Sequence, residues 1–174
     1  IDMPKIYIVT PPVASLEENF RSELKKCPSI VKEAIRIKRS ERDFSRDPTN
    51  LIINRYVRFL YYIKLANRLT LPKGHKEYVD LENSLIVMDE AHNILKPEQK
   101  DRKKYEKVIK WIRGTKNIKI CLLSATPVFN KMSDLTRLMN ILKYKTEETL
   151  PETEDAFKKR YFDDQFRIYR DKFQ

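Results

Sequence analysis

Glycine is nearly absent from this sequence. The 174 residues contain only Gly74 and Gly114, far apart in the chain, so no phosphate-cradling loop of the form GxxxxGKS or GxxxxGKT occurs among them. Cysteine is equally scarce. Cys27 and Cys121 stand alone, with no CxxC and only His75 and His92 as companions, which excludes both a zinc site and a disulfide framework. No apolar run approaches the roughly 20 residues of a membrane span, and the first residues lack the basic and apolar regions of a secretion signal. These absences predict a soluble chain with no membrane partner, from a reducing, intracellular setting.

Positive charge is abundant. Thirty-six Lys and Arg stand against 25 Asp and Glu, a formal charge of +11, which favours a polyanionic partner such as nucleic acid. The clusters Arg36, Lys38, Arg39 and Lys158, Lys159, Arg160 also read as ordinary solvated helix surface. A hydrophobic content of 41% is enough for one core of ordinary size, and the length suits one domain.

Short apolar runs alternate with amphipathic stretches, the pattern of an α/β layer with a mostly parallel sheet flanked by helices. The runs Ile6 to Val9, Leu51 to Ile53, Leu85 to Met88 and Ile118 to Leu123 are rich in β-branched or bulky residues and predict strands. A helix is predicted from the capping box Ser15-Leu16-Glu17-Glu18, with Leu16, Phe20 and Leu24 on its inner face. Residues 56–66 are apolar nearly all round and predict a buried helix. Residues 101–113 predict another, stopped by Gly114. A further helix opens at Ser133 and aligns Leu135, Leu138, Met139 and Leu142 as a core-facing stripe. Segments 39–50 and 67–83 read as loops, His75 among them as a surface residue, and the chain from Thr153 to Gln174 reads as one charged helix. No internal repeat or low-complexity tract interrupts this pattern.

The sharpest local signal is Asp89-Glu90-Ala91-His92, directly after the apolar run ending at Met88. It belongs at the carboxyl end of a buried strand, where open α/β sheets bind their ligands. Adjacent carboxylates there suit magnesium and water: Asp89 can hold the ion through its water shell while Glu90 orients the attacking water. Ser124-Ala125-Thr126-Pro127 follows the next predicted strand and places hydroxyls on the same expected edge.

VMDEAH and LLSATP resemble motifs II and III of superfamily-two helicases of the DEAH type. LLSATPVFNKMSDLTRLMNIL is similar to the Swi/Snf-like branch, IYIVTPPVASLEENFRSEL to its motif Ia and LIINRYVRF to its motif Ib. EDAFKKRYF resembles the segment after motif III. The wording is most similar to helicase-like ATPases of large cytoplasmic DNA viruses, poxvirus types included, which would place such a protein in a virion or virus factory. The resemblance implies a RecA-like lobe over 1–150, spanning motifs Ia to III, with 151–174 opening a helical connection toward a second lobe. It implies ATP and Mg2+ as substrate and cofactor, with Asp89 and Glu90 at the metal, Glu90 as catalytic base and His92 linking the nucleotide site to motif III. Ser124, Ala125 and Thr126 would couple hydrolysis to movement. Thr10, Pro11, Asn54 and Arg55 would lie near nucleic-acid phosphates. The implied activity is ATP-driven movement on DNA rather than RNA, in transcription or template remodelling, with RNA polymerase or transcription factors as partners.

The resemblance also implies a phosphate loop one strand and one helix before motif Ia. These residues lack it, so the lobe is expected to be incomplete at its N-terminus and inert by itself. Two other readings stay open: a catalytically silent scaffold that binds nucleic acid or polymerase, and a metal-dependent nuclease. The intact Asp89-Glu90 pair argues against the first. The absence of a nearby strand lysine argues against the second.

Overall fold

The computed structural model describes residues 5–40, 47–95, 102–128, 131–143 and 148–162. The chain divides into two compact units, Ile1–Asp89 with Lys116–Cys121, and Glu90–Thr115 with Leu122–Gln174.

The first unit is built on a four-stranded sheet. Strands β1 (Lys5–Thr10), β2 (Val57–Tyr61), β3 (Ser84–Met88) and β4 (Lys119–Leu122) lie in the order β2-β1-β3-β4. β1 pairs in parallel with β2, Ile6 facing Val57 and Thr10 facing Tyr61, and with β3, Val9 facing Met88. Tyr7, Ile8, Val9 and Thr10 are all buried, as a central parallel strand covered on both faces requires. This is the expected RecA-like α/β architecture, a parallel sheet flanked by helices.

Helix α1 (Ala14–Lys25) departs from the expected capping box. Val13 is its N-cap and makes no side-chain cap bond. The Val13 N–H donates to Pro11 O at 2.7 Å, so the proline turn sets the helix entry and leaves Ser15 inside the first turn. Phe20 and Leu24 still pack on the cluster of Ile8, Ile53 and Val57. Helix α2 (Pro28–Ser40) follows.

The predicted strand Leu51–Ile53 is instead the middle of helix α3 (Pro48–Tyr56). Asp47 caps it by accepting the Thr49 N–H at 3.0 Å, and Pro48 occupies its first turn, a start signal that commits the following residues to helix. The predicted buried helix 56–66 correspondingly becomes two elements, β2 and then α4 (Tyr62–Leu69), whose buried residues Tyr62, Leu65, Ala66 and Leu69 follow helical spacing. The expected loop at 39–50 is thus partly helical, with 41–46 outside the described residues. The loop expected over 67–83 begins only after Leu69. It contains Gly74 at φ +96 and exposed His75, whose Nδ1 accepts the Glu77 N–H at 3.1 Å.

The second unit holds a short 3-10 turn, Ala91–Leu95, and helices α5 (Arg102–Gly114), α6 (Ser133–Leu142) and α7 (Glu154–Tyr161). Thr153 caps α7 by accepting the Ala156 N–H at 3.3 Å. α7 stops at Tyr161 because Phe162 is extended, earlier than the continuous helix expected; 163–174 lie outside the described residues. The stripe predicted on α6 is corrected too: Leu138 is buried, but Leu135, Met139 and Leu142 are exposed. α6 buries Ser133, Asp134, Thr136, Asn140 and Ile141 instead. Among the described residues no helix is long and apolar enough to cross a membrane.

Candidate functional site

In the first unit the ends of β1 and β3 converge. The Asp89 N–H donates to Val9 O at 2.8 Å, continuing the ladder one residue past β3, and the Tyr62 hydroxyl donates to Asp89 O at 2.8 Å. Both backbone polar groups of Asp89 are therefore held, and its carboxylate stands half-buried at the carboxyl edge. Thr10, buried at 2% exposure, ends β1 beside it, and Pro11 starts the turn into α1. Tyr62 escaped the sequence reading. Its only signal is a pair of tyrosines closing a β-prone run, which read there as buried helix.

Asn54 and Arg55 do not join this edge. They occupy the last turn of α3, immediately before β2, and Val57 pairs with Ile6 at the start of β1. They therefore lie at the amino edge of the sheet, about 13 Å of strand away from Thr10. Both are exposed; Asn54 Oδ1 accepts from Arg21 Nη1 at 2.9 Å, and the Arg55 guanidinium lies 5.9 Å from the Tyr56 ring centroid. Thr10 and Pro11 are thus at one end of the sheet and Asn54 and Arg55 at the other, because the strand is 57–61, not 51–53.

In the second unit Glu90, His92, Ser124 and Thr126 do come together. The Ala91 N–H donates to Leu123 O at 2.9 Å, tying the 3-10 turn to the residues after β4. His92 Nδ1 lies 3.0 Å from Ser124 Oγ, 3.3 Å from Glu90 Oε2 and 3.4 Å from Thr126 Oγ1. The Thr126 N–H points at Ser124 Oγ, 3.3 Å away. One nitrogen thus meets a carboxylate and two hydroxyls. It carries at most one hydrogen, so it donates to Glu90 when protonated and accepts from a hydroxyl when not. Ala125, between them, is exposed and contributes spacing.

Glu90 has φ +49, the left-handed region that residues with a Cβ seldom occupy. Asn93 holds it there, its N–H and Nδ2 both donating to Glu90 O at 2.9 and 3.0 Å. Asn93 was also missed; an Asn a few residues past a strand end is a common turn-former, a signal too general to single it out.

A sequence profile of DEAD/DEAH box helicases matches residues 2–135. The chain belongs to the DEAD/DEAH box helicase family. Two proteins of Acanthamoeba polyphaga mimivirus, each named as an ATP-dependent RNA helicase, are similar to it. One is 26% identical over 174 residues, covering 81% of this chain and 15% of its own length. The other is 31% identical over 149 residues, covering 79% of this chain and 24% of its own length. The chain thus spans less than a quarter of the length of these relatives. Every candidate residue from Thr10 to Thr126 falls inside the span matched by the helicase profile.

Helicases of this family use ATP and magnesium. Among the described residues no three His, Cys, Asp or Glu side chains form a metal cage. Magnesium does not need one: it keeps most of its waters and takes one or two carboxylates together with substrate phosphates. A single half-buried carboxylate on a backbone pinned at both polar groups, Asp89, fits that habit.

Proposed function

We propose that this chain carries the hydrolytic carboxylates of a nucleic-acid-dependent ATPase motor, Swi/Snf-like in branch, that turns ATP hydrolysis into movement along its strand. The observation that carries the reading is His92 Nδ1, within 3.3 Å of the Glu90 carboxylate and 3.0 Å of the Ser124 hydroxyl. A ring nitrogen within reach of both a carboxylate and a hydroxyl is a physical link between the group that would activate water and the segment 124–126 that would report it.

In this reading Glu90 takes a proton from the attacking water as the oxygen bonds to the terminal phosphorus and the bond to the ADP oxygen breaks. Asp89 would hold a hydrated magnesium ion, which would supply charge neutralisation at the phosphate oxygens. Thr10 and Pro11, at the carboxyl edge, are the better candidates for phosphate contact, and Asn54 and Arg55 would touch the strand only on a separate surface.

The branch rests on LLSATPVFNKMSDLTRLMNIL, and a viral source is supported by the two mimivirus relatives. Their names speak for RNA, whereas the Swi/Snf-like wording speaks for duplex DNA and a role in transcription. Comparing ATPase stimulation by single-stranded RNA and by duplex DNA decides between them.

The assignment itself is tested by Glu90→Gln in the complete protein. The amide keeps the shape but accepts no proton, so turnover should fall at least about a hundredfold while ATP binding persists. Turnover at the wild-type rate would sink the assignment.

A further inference from the structure

Helix α5 presents a surface that hydrolysis does not use. Val108 and Ile112 are buried on one side of it, and Tyr105 is half-buried. At 3.6 residues per turn, Lys103, Lys107, Lys110 and Trp111 fall together on the other side. All four are exposed, Trp111 at 39%. Lys107 precedes the indole by one turn, the spacing at which helical side chains are neighbours. Glu106 is the one carboxylate of this helix, and Arg102 Nε holds it at 3.0 Å. The outer face is therefore a row of ammonium groups beside a large aromatic ring, with the one carboxylate of α5, Glu106, at its border a turn before Lys110 and already paired with Arg102.

Lysines alone would mark a solvated helix. The exposed indole among them is the second observation, and it narrows the partner. Single-stranded nucleic acid offers both complements at once, unpaired bases that stack on an aromatic face and phosphates that meet the cations. A duplex keeps its base faces inside the stack, and acidic side chains meet the lysines without stacking on the indole.

We propose that the outer face of α5 binds single-stranded nucleic acid, Trp111 stacking on a base while Lys103, Lys107 and Lys110 hold neighbouring phosphates. This goes beyond the ATPase reading and stands without it, since α5 needs neither Glu90 nor a bound nucleotide.

Trp111 is the single tryptophan of the 174-residue chain, so its emission reports this face alone. Titration with a short oligouridylate at low salt should quench that emission, and added salt should reverse the quench as counterions compete for the phosphates. Anisotropy of a labelled oligouridylate should show binding about tenfold weaker in Trp111→Ala, near wild-type in Trp111→Phe, and at least as weak as the alanine variant when Lys107→Glu and Lys110→Glu are combined. The matched charge reversal on α7, Lys158→Glu with Lys159→Glu, should leave the quench amplitude unchanged. The wild-type titration needs no variant to fold. Unchanged emission while the labelled strand binds would place binding elsewhere and overturn the proposal. An equal quench from duplex DNA would remove the stacking argument, and an equal quench from polyglutamate would reassign the face to an acidic protein; either result overturns it.

Discussion

Glu90, the base in the proposed hydrolysis, also carries a backbone cost. At φ +49 a residue with a Cβ gives up roughly 1–2 kcal/mol, and the two bonds from Asn93 to its carbonyl hold it in that state. Strain retained where a carboxylate is needed is common at working sites. Glu90→Gly separates the two effects. Glycine adopts this conformation freely but loses about 0.5–1 kcal/mol through its more mobile unfolded chain. The net expectation is a gain of up to about 1.5 kcal/mol in urea unfolding together with loss of hydrolysis in the complete protein. A loss of stability would mean that the glutamate side chain, through His92, contributes more to folding than the backbone conformation costs.

Among the elements, α3 and α6 are each anchored by polar side chains. Asp47 accepts from Thr49 Oγ1 at 2.6 Å and from its N–H at 3.0 Å, and pairs with Lys25 Nζ at 3.0 Å. The Thr49 hydroxyl first, then Lys25, lower its pKa from 3.8 to about 2. A depressed carboxylate stabilises the fold above its unfolded value and loses that contribution as pH falls toward the folded one. Asp47→Ala should therefore cost about 1 kcal/mol at neutral pH, and the wild-type advantage in urea midpoint should shrink between about pH 4 and pH 2. An advantage constant over that window would remove the charged-cap account. On α6, buried Asn140 donates to Leu150 O at 3.0 Å and Glu152 Oε1 at 2.8 Å, and accepts the Leu150 N–H at 2.8 Å. Thr136 reaches the Pro151 carbonyl from the same helix. Asn140→Ala strands these partners away from water, and a loss of about 1–3 kcal/mol in unfolding free energy is expected. A change below about 0.5 kcal/mol would mean that water replaces the amide.

For the whole molecule, the contrast is between the proposed hydrolytic groups and the phosphate grip. The 174 residues carry Asp89 and Glu90 but no GxxxxGKS or GxxxxGKT, the loop whose backbone N–H groups and lysine cradle the phosphates. Isothermal titration of this chain with ATP and magnesium should accordingly give an affinity weaker than about millimolar, near −4 kcal/mol. Micromolar binding would show that the nucleotide site has been misplaced. The charge of +11 acts at the same scale, drawing polyanions without choosing among sequences.

The amino-acid sequence by itself determined the α/β class, three of the four strands and the order of the chemical residues. Those features are local: a β-branched run followed by Asp89-Glu90, or by Ser124 to Thr126, declares a strand and its edge within a few residues. The strand predicted at 51–53 and the helix predicted over 56–66 mark the limit of periodicity, because short apolar runs serve helix and strand alike. The cap Asp47-Pro48 and the parallel pairing with β1 made 57–61 the strand, and with it moved Asn54 and Arg55 to the amino edge and brought Tyr62 to Asp89. Only the tertiary structure chose the buried face of α6. Hydrophobic spacing alone would turn Leu135, Met139 and Leu142 inward, but the buried face is the one on which Leu138 and Ile141 pack and Asn140 and Thr136 bond to the 150–152 segment, as buried polar groups require.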